Sequence, residues 1–143
     1  MIRAKKTTEL DFIIDKLTNS IENVVTGDNF ATNVLRISKH DLQNISKEKG
    51  WKFDWKSEIT PSNDVYKLVI EQNVNIIQGL ISISVKSDHI FMNLLENAPF
   101  NAGKTKIYQG IAGNLVAYAC KLAFLYGFDG YVGFIAKTKL ISL

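Results

Sequence analysis

One stretch of this chain restricts its fold more than any other: residues 115–128 are apolar almost throughout, interrupted by Lys121. The run is too short and too broken for a membrane span. A helix over residues 111–126 would extend roughly 24 Å at 1.5 Å per residue, and its shortage of polar positions demands burial on more than one side. Such a helix has to lie on a sheet. Gly110-Ile111-Ala112-Gly113-Asn114 opens it, and Gly127-Phe128-Asp129-Gly130 caps it and turns the chain into an apolar strand over residues 131–136.

The sheet is supplied upstream. Residues 65–71, 79–85 and 89–95 read as three strands, joined by Asn/Gln-rich and Lys-Ser-Asp turns short enough for antiparallel neighbours. In the middle one Leu80, Ile81, Ile83 and Val85 interleave with Ser82 and Ser84, so one face is buried and the other carries small hydroxyls. Gly27-Asp28-Asn29 is a turn cluster between Ile21, Val24 and Val25 on one side and a β-branched stretch over residues 30–37 on the other, which predicts a hairpin. Ser38 with Asp41 three positions on, then Leu42, Ile45 and a terminal Gly50, predicts a short helix over residues 39–49. Trp51-Lys52-Phe53-Asp54-Trp55-Lys56 alternates aromatic with charged residues, as an extended piece laying three rings on one face would. Residues 10–17 are compatible with a further strand. The expected fold is one α/β domain over residues 1–143, an antiparallel meander followed by a glycine-opened helix and a strand parallel to its neighbour.

Composition removes several classes of function. Seventeen Lys and Arg against fourteen Asp and Glu leave a net charge of +3, which attracts anionic ligands but is far from the dense basic face of a nucleic-acid binder. Cys120 is the single cysteine, so a disulfide scaffold and a structural zinc site are excluded. The basic residues at the amino terminus have no apolar segment behind them, and a cytoplasmic location away from membranes is expected. His40 and His89 have no second ligand at metal spacing and read as surface or packing residues, and Cys120 reads as an inert mid-helix thiol. Trp51, Phe53 and Trp55 with Lys52 and Lys56 have the makings of a base-stacking surface, but Asp54 and Glu58 dilute the charge, and lining of a core or cleft fits better.

The start of the long helix is where chemistry is most plainly placed. A helix amino terminus offers unpaired N–H groups and the positive end of the peptide dipole, and small residues let a phosphate approach them. Gly110, Ala112 and Gly113 meet that requirement, without the spacing of a dinucleotide fingerprint or the lysine of a P-loop. The alternative is that they only let the helix pack close to the sheet.

The order of meander, strand over residues 89–96, Gln109-Gly110-Ile111-Ala112-Gly113-Asn114-Leu115 opening a helix, and Gly127-Phe128-Asp129-Gly130 before a strand resembles the GNAT superfamily of acyl-CoA-dependent N-acyltransferases. The pyrophosphate loop of that family has an Arg or Gln, two residues, a Gly, one residue and a Gly or Ala. Gly110-Ile111-Ala112 matches the second half, while the Arg or Gln position falls on Ile107, with Lys106 and Gln109 close by. The likeness spans residues 65–136. Ser82, Glu71, Glu96, Phe128 and residues 51–55 also look similar to small bacterial proteins of unassigned substrate that carry this fold.

The resemblance implies acetyl-CoA or CoA as cofactor, with the strand over residues 89–96 splayed from its parallel neighbour. Leu94, Leu95 and Glu96 would then hold the pantetheine arm and the thioester carbonyl. Ile107, Tyr108, Gln109, Gly110, Ile111, Ala112, Gly113 and Asn114 would hold the pyrophosphate, and the acceptor would be a small-molecule or peptide amine. Glu96 is the first candidate for the base that deprotonates it and Glu71 the second, a desolvated carboxylate being suited to that task. The alternative for Glu96 is a solvated carboxylate at a strand end. The family's Asn position falls on Lys137 and its Tyr just past Leu143, and its final strand pair is absent. A C-terminally short member, or a homodimer partner covering an open sheet edge, would account for this. A non-catalytic CoA-binding or protein-interaction module with a degenerate GNAT fold is the alternative function, and a single-strand nucleic-acid binder gets little help from composition.

Overall fold

The computed structural model describes residues 20–134. Seven strands form one sheet: β1 (Ser20–Asn23), β2 (Asn29–Arg36), β3 (Asp64–Ile70), β4 (Gly79–Val85), β5 (Ile90–Asn97), β6 (Tyr108–Gln109) and β7 (Val132–Phe134). Their order across it is β6-β1-β2-β3-β4-β5-β7. Every neighbouring pair is antiparallel except β5 and β7, which run parallel with Ile90 opposite Val132. Among the described residues one α-helix, α1 (Ile111–Leu125), crosses between those two parallel strands, so the architecture is a mixed α/β sheet. The strand expected over residues 10–17 and the position of Lys137 lie outside the described residues.

The hairpin forms because Asn23 Oδ1 accepts from the N–H of Val25 and Thr26, at 2.9 and 3.0 Å, and Gly27 takes a left-handed φ of 77° that reverses the chain. The meander follows in the expected places, each strand moved by a residue or so at its ends. Its two faces bury different partners. Tyr66, Leu68, Ile81, Ile83, Ile90, Met92 and Leu95 face α1, which answers with Ile111, Leu115, Ala119 and Ala123. Successive i, i+4 positions make that stripe, while Gly113, Val116, Lys121 and Leu125 lie on the exposed side. The opposite face carries Val65, Leu80 and Leu94 beneath Ile45, Trp51 and Trp55.

Two expectations fail here for physical reasons. The helix over residues 39–49 is instead a pair of 3-10 turns, His40–Asn44 and Lys47–Lys49. Asp41 turns back to accept from the Ser38 N–H at 2.8 Å and inward to the Lys67 ammonium at 2.9 Å, and such local bonds compete with an α-helix too short to nucleate well. The aromatic segment is not extended either. Trp55–Glu58 is a third 3-10 turn, and Trp51 and Trp55 meet edge-on with ring centres 6.5 Å apart, buried against the sheet while Phe53 is only half-buried.

A β-bulge in β5 decides which side chain faces where. Ser82 pairs with Leu94 and Ile83 with Met92, so Asn93 is the extra residue. Ile90 and Met92 face the helix, and strict alternation would send Leu94 there too. The inserted residue reverses the sense, placing Leu95 in the helix-side core and Leu94 among the tryptophans. Glu96, two residues from Leu94, follows it to the tryptophan side.

After β5 the chain crosses the ends of the strands to the far edge of the sheet. Asn101, 1% exposed, pins this strap: its side-chain N–H groups donate to Gln78 O at 3.1 Å and Gln78 Oε1 at 2.9 Å, and its Oδ1 accepts from the Tyr108 N–H at 3.0 Å. The strap ends as β6, an edge strand that nothing in the sequence pattern announced, paired with β1.

Candidate functional site at the carboxyl end of β5

The carboxyl ends of β3 and β5 and the amino end of α1 fall on one side of the sheet, the side where open α/β sheets bind their ligands. Gly79 is the point of closest approach. A Cβ there would stand 2.5 Å from Ile111 Cγ2 and 3.2 Å from both the Glu96 carbonyl oxygen and Leu115 Cδ1. A glycine at β4's first residue therefore lets the end of β5 and the first turn of α1 meet.

Gly110 caps α1 in the left-handed region, at φ 93°, and its carbonyl accepts from the Asn114 backbone N–H at 3.1 Å and side-chain N–H at 2.6 Å. Asn114 also donates to Ser20 O at 2.9 Å, tying the helix start to β1. The N–H groups of Ile111, Ala112 and Gly113 have no acceptor among the described residues. A Cβ on Gly113 would meet nothing within 4 Å, so the protein's own packing does not require glycine there. Free N–H groups and an open approach suit a phosphate. Ile107, Tyr108 and Gln109 are engaged differently: Ile107 N–H donates to Phe100 O and its carbonyl accepts from Val24 N–H, Tyr108 N–H goes to Asn101, and Gln109 hydrogen-bonds Glu22.

Glu96 is 7% exposed. Its Oε2 accepts from the Lys52 backbone N–H at 2.7 Å, and its Oε1 from the Phe53 N–H at 3.3 Å and the Trp55 indole N–H at 2.8 Å. A carboxylate offers about four lone-pair positions, so three donors leave room for one more. Glu71 is elsewhere. It is exposed just past the end of β3, donates its N–H to Ala31 O, and lines a separate hollow of about 140 Å³ with Asn29, Phe30 and Gln72. The fold thus brings Leu95 and the backbone of Glu96 to the start of α1, turns the Glu96 and Leu94 side chains to the tryptophan face, and leaves Glu71 apart from both.

A cavity of about 610 Å³ opens beside Glu96, walled by Gly50, Lys52 and Phe53 from the aromatic segment and by Pro99, Asn101, Gly103 and Lys106 from the strap. A wider groove of about 690 Å³ at the opposite end of β5, between His89 and Tyr131, is far more open to solvent. The groove is the larger of the two, but the smaller cavity is the more enclosed and takes in the end of β5 at Leu95, Glu96 and Asn97. Sequence reasoning had left out Lys106 as a cavity residue and Asn101 as its support, since a Pro-Phe-Asn-Ala-Gly stretch signals only a break. Among the described residues no three His, Cys, Asp or Glu side chains gather as a metal site, and no helix is long and apolar enough to cross a membrane. His40 hydrogen-bonds Gln43, His89 pairs with Asp88 at 2.8 Å, and burial pushes the Cys120 thiol up from its ordinary value.

Compared with protein-family models, with curated proteins and with solved structures, the chain matches none.

Proposed function

We propose that the chain is a GNAT-type N-acyltransferase that binds acetyl-CoA or CoA and acts on a small-molecule or peptide amine. The observation that carries this reading is the convergence at Gly79 of the end of β5 with a glycine-capped helix start whose first-turn N–H groups have no acceptor among the described residues. The bulge at Asn93 adds to it, because a bulge bends its strand just past Met92, the last residue paired with β7 among the described residues. Bending there leaves the outer edge of residues 94–97 for a ligand that carries amides of its own, as the pantetheine arm does.

In this reading Ile111, Ala112 and Gly113 hold the pyrophosphate through their N–H groups. Acetyl-CoA, when bound, would supply the acyl group as a thioester for the neutral amine to attack, the C–N bond forming as the C–S bond breaks and the proton lost by the nitrogen passing to the departing thiolate to give CoA as the thiol. Glu96 takes the ammonium proton beforehand on its remaining lone pair, held in place by Lys52, Phe53 and Trp55. Glu71 serves neither role from its separate hollow.

Calorimetric titration with acetyl-CoA tests the reading. Saturable binding near micromolar, on the order of −8 kcal/mol, is expected, weakened at least tenfold in Gly113→Glu. That variant fits the open space and places a carboxylate at a helix start, where folding tolerates it and a phosphate does not. No binding by the parent chain, or equal binding by the variant, would overturn the assignment. Binding without turnover of any amine would leave a CoA-binding module.

A further inference from the structure

The enclosed cavity carries a charge pattern that cofactor binding at the helix start does not use. Lys52 and Lys106 both line it, and neither has a carboxylate partner among the described residues. Lys106 is half-buried. Glu96 is the cavity's one carboxylate, but its oxygens are turned to the Lys52 and Phe53 N–H groups and the Trp55 indole. Three of its acceptor positions are thus taken by the wall, and two lysines without a carboxylate partner among the described residues line a space sized for a small molecule. Asn97 lines the same space. Its buried Oδ1 has no donor among the described residues and its Nδ2 makes a long 3.4 Å bond to Asn101 O, so a turn of the carboxamide toward a ligand N–H would satisfy an acceptor the fold leaves unpaired.

We infer that this cavity binds the acid group, carboxylate or phosphate, of a small ligand, with Lys52 and Lys106 as its counter-charges and Asn97 as acceptor for an N–H of the same ligand. On the acyl-transfer reading, on which only the ligand's role rests, the acceptor is an amine that also carries an acid, as an amino acid does. The acid group has two sources, the acceptor itself or a phosphate of the cofactor.

Amide chemical shifts of the isotope-labelled chain separate them. Inorganic phosphate and L-alanine are each expected to move the amides of Lys52, Gly103 and Lys106 saturably, while putrescine, a diamine without an acid, leaves them in place. Lys52→Ala with Lys106→Ala should weaken the response roughly tenfold, the sum of two partly exposed ion pairs, and raised salt should weaken it as well. Lys52→Ala keeps the backbone N–H that Glu96 uses, so the wall survives. Lys86→Ala, whose ammonium lies over Phe91 at the other end of the strands, should respond as the parent chain does. No saturable shift with either anion, or an unchanged response in the double variant, overturns the proposal. If CoA displaces phosphate from these amides and dephospho-CoA does not, the acid group is the cofactor's. If L-alanine still moves them in the presence of CoA, it is the acceptor's. Absence of acetyl-CoA binding with these shifts intact would remove the acyl-transfer reading and leave the anion site standing.

Discussion

Replacing Gly79 with alanine is the sharpest test of how the site is built. The added methyl would lie 2.5 Å from Ile111 Cγ2, about 1 Å inside the usual carbon–carbon separation, with Leu115 Cδ1 and the Glu96 carbonyl each 3.2 Å away. Ile111 and Leu115 are 1% and 0% exposed and the third neighbour is backbone, so none can swing aside. Overpacking of this kind costs about 1–3 kcal/mol. Gly79 has no left-handed φ, so alanine also removes unfolded-state freedom worth roughly 0.4–1 kcal/mol, leaving a net loss of about 1–2 kcal/mol. Urea unfolding would show it as a midpoint lowered by about 0.5–1 M at unchanged slope. Ile111→Ala alone should cost about 2–5 kcal/mol by leaving a cavity, and the double variant should cost at least ~1 kcal/mol less than the sum, since the new methyl occupies space just vacated. Additive losses, or a Gly79→Ala chain as stable as its parent, would refute the claim that close approach at this glycine sets the position of α1.

Other consequences are as direct. Asp41→Ala strands the Lys67 ammonium, whose side chain is 9% exposed and whose other acceptor is Val74 O at 3.1 Å, and should cost about 3–5 kcal/mol in a denaturation experiment. In the parent chain burial works to raise the Asp41 carboxyl, but the Ser38 N–H, the Lys67 ammonium and the Ser38 hydroxyl outweigh it and hold the group below its ordinary value. Its contribution is complete above the unfolded value, about 4, and is lost as pH falls through the lower folded one, so a pH series of melting temperatures should decline there and Asp41→Ala should lack that portion of the decline. At the alkaline end the Tyr118 phenol is pushed up to about 12 by burial, with Tyr66 adding to the effect. Because an unfolded phenol ionises near pH 10, stability should fall from about there upward, with no phenolate absorbance from Tyr118 until the higher value, and Tyr118→Phe should flatten the fall.

Elements whose pattern is set by local chemistry were legible in the sequence. The apolar run and its flanking glycines gave α1 to within a residue, and alternation with short turns gave β3, β4 and β5. What escaped was decided by distant partners. Asp41 gives up a helix for Lys67, 26 residues away, and Trp55 curls inward toward Glu96, 41 residues away, rather than extending. β6 is two residues long and exists only because β1 is there to pair with it. The strand end that carries Glu96 and the glycine that caps α1 could be read directly, because each has its own local signal. The cavity beside them could not, because its walls come from two irregular segments joined by hydrogen bonds rather than by periodicity.

The strap from β5 to β6 also bears on the order in which the molecule can assemble. Glu22 and Gln109, joined side chain to side chain across the β1–β6 edge, are separated by 87 positions in the chain. The meander between them consists of contacts between neighbours in sequence, which close cheaply and early, whereas joining the two outer ends carries a much larger loop entropy. Asn101 and Lys106 sit on the segment that makes this last closure, so the enclosed cavity has no early precursor. During synthesis it can form only after residue 109 has left the ribosome, when the hairpin that waits for it has long been exposed as an unpaired edge.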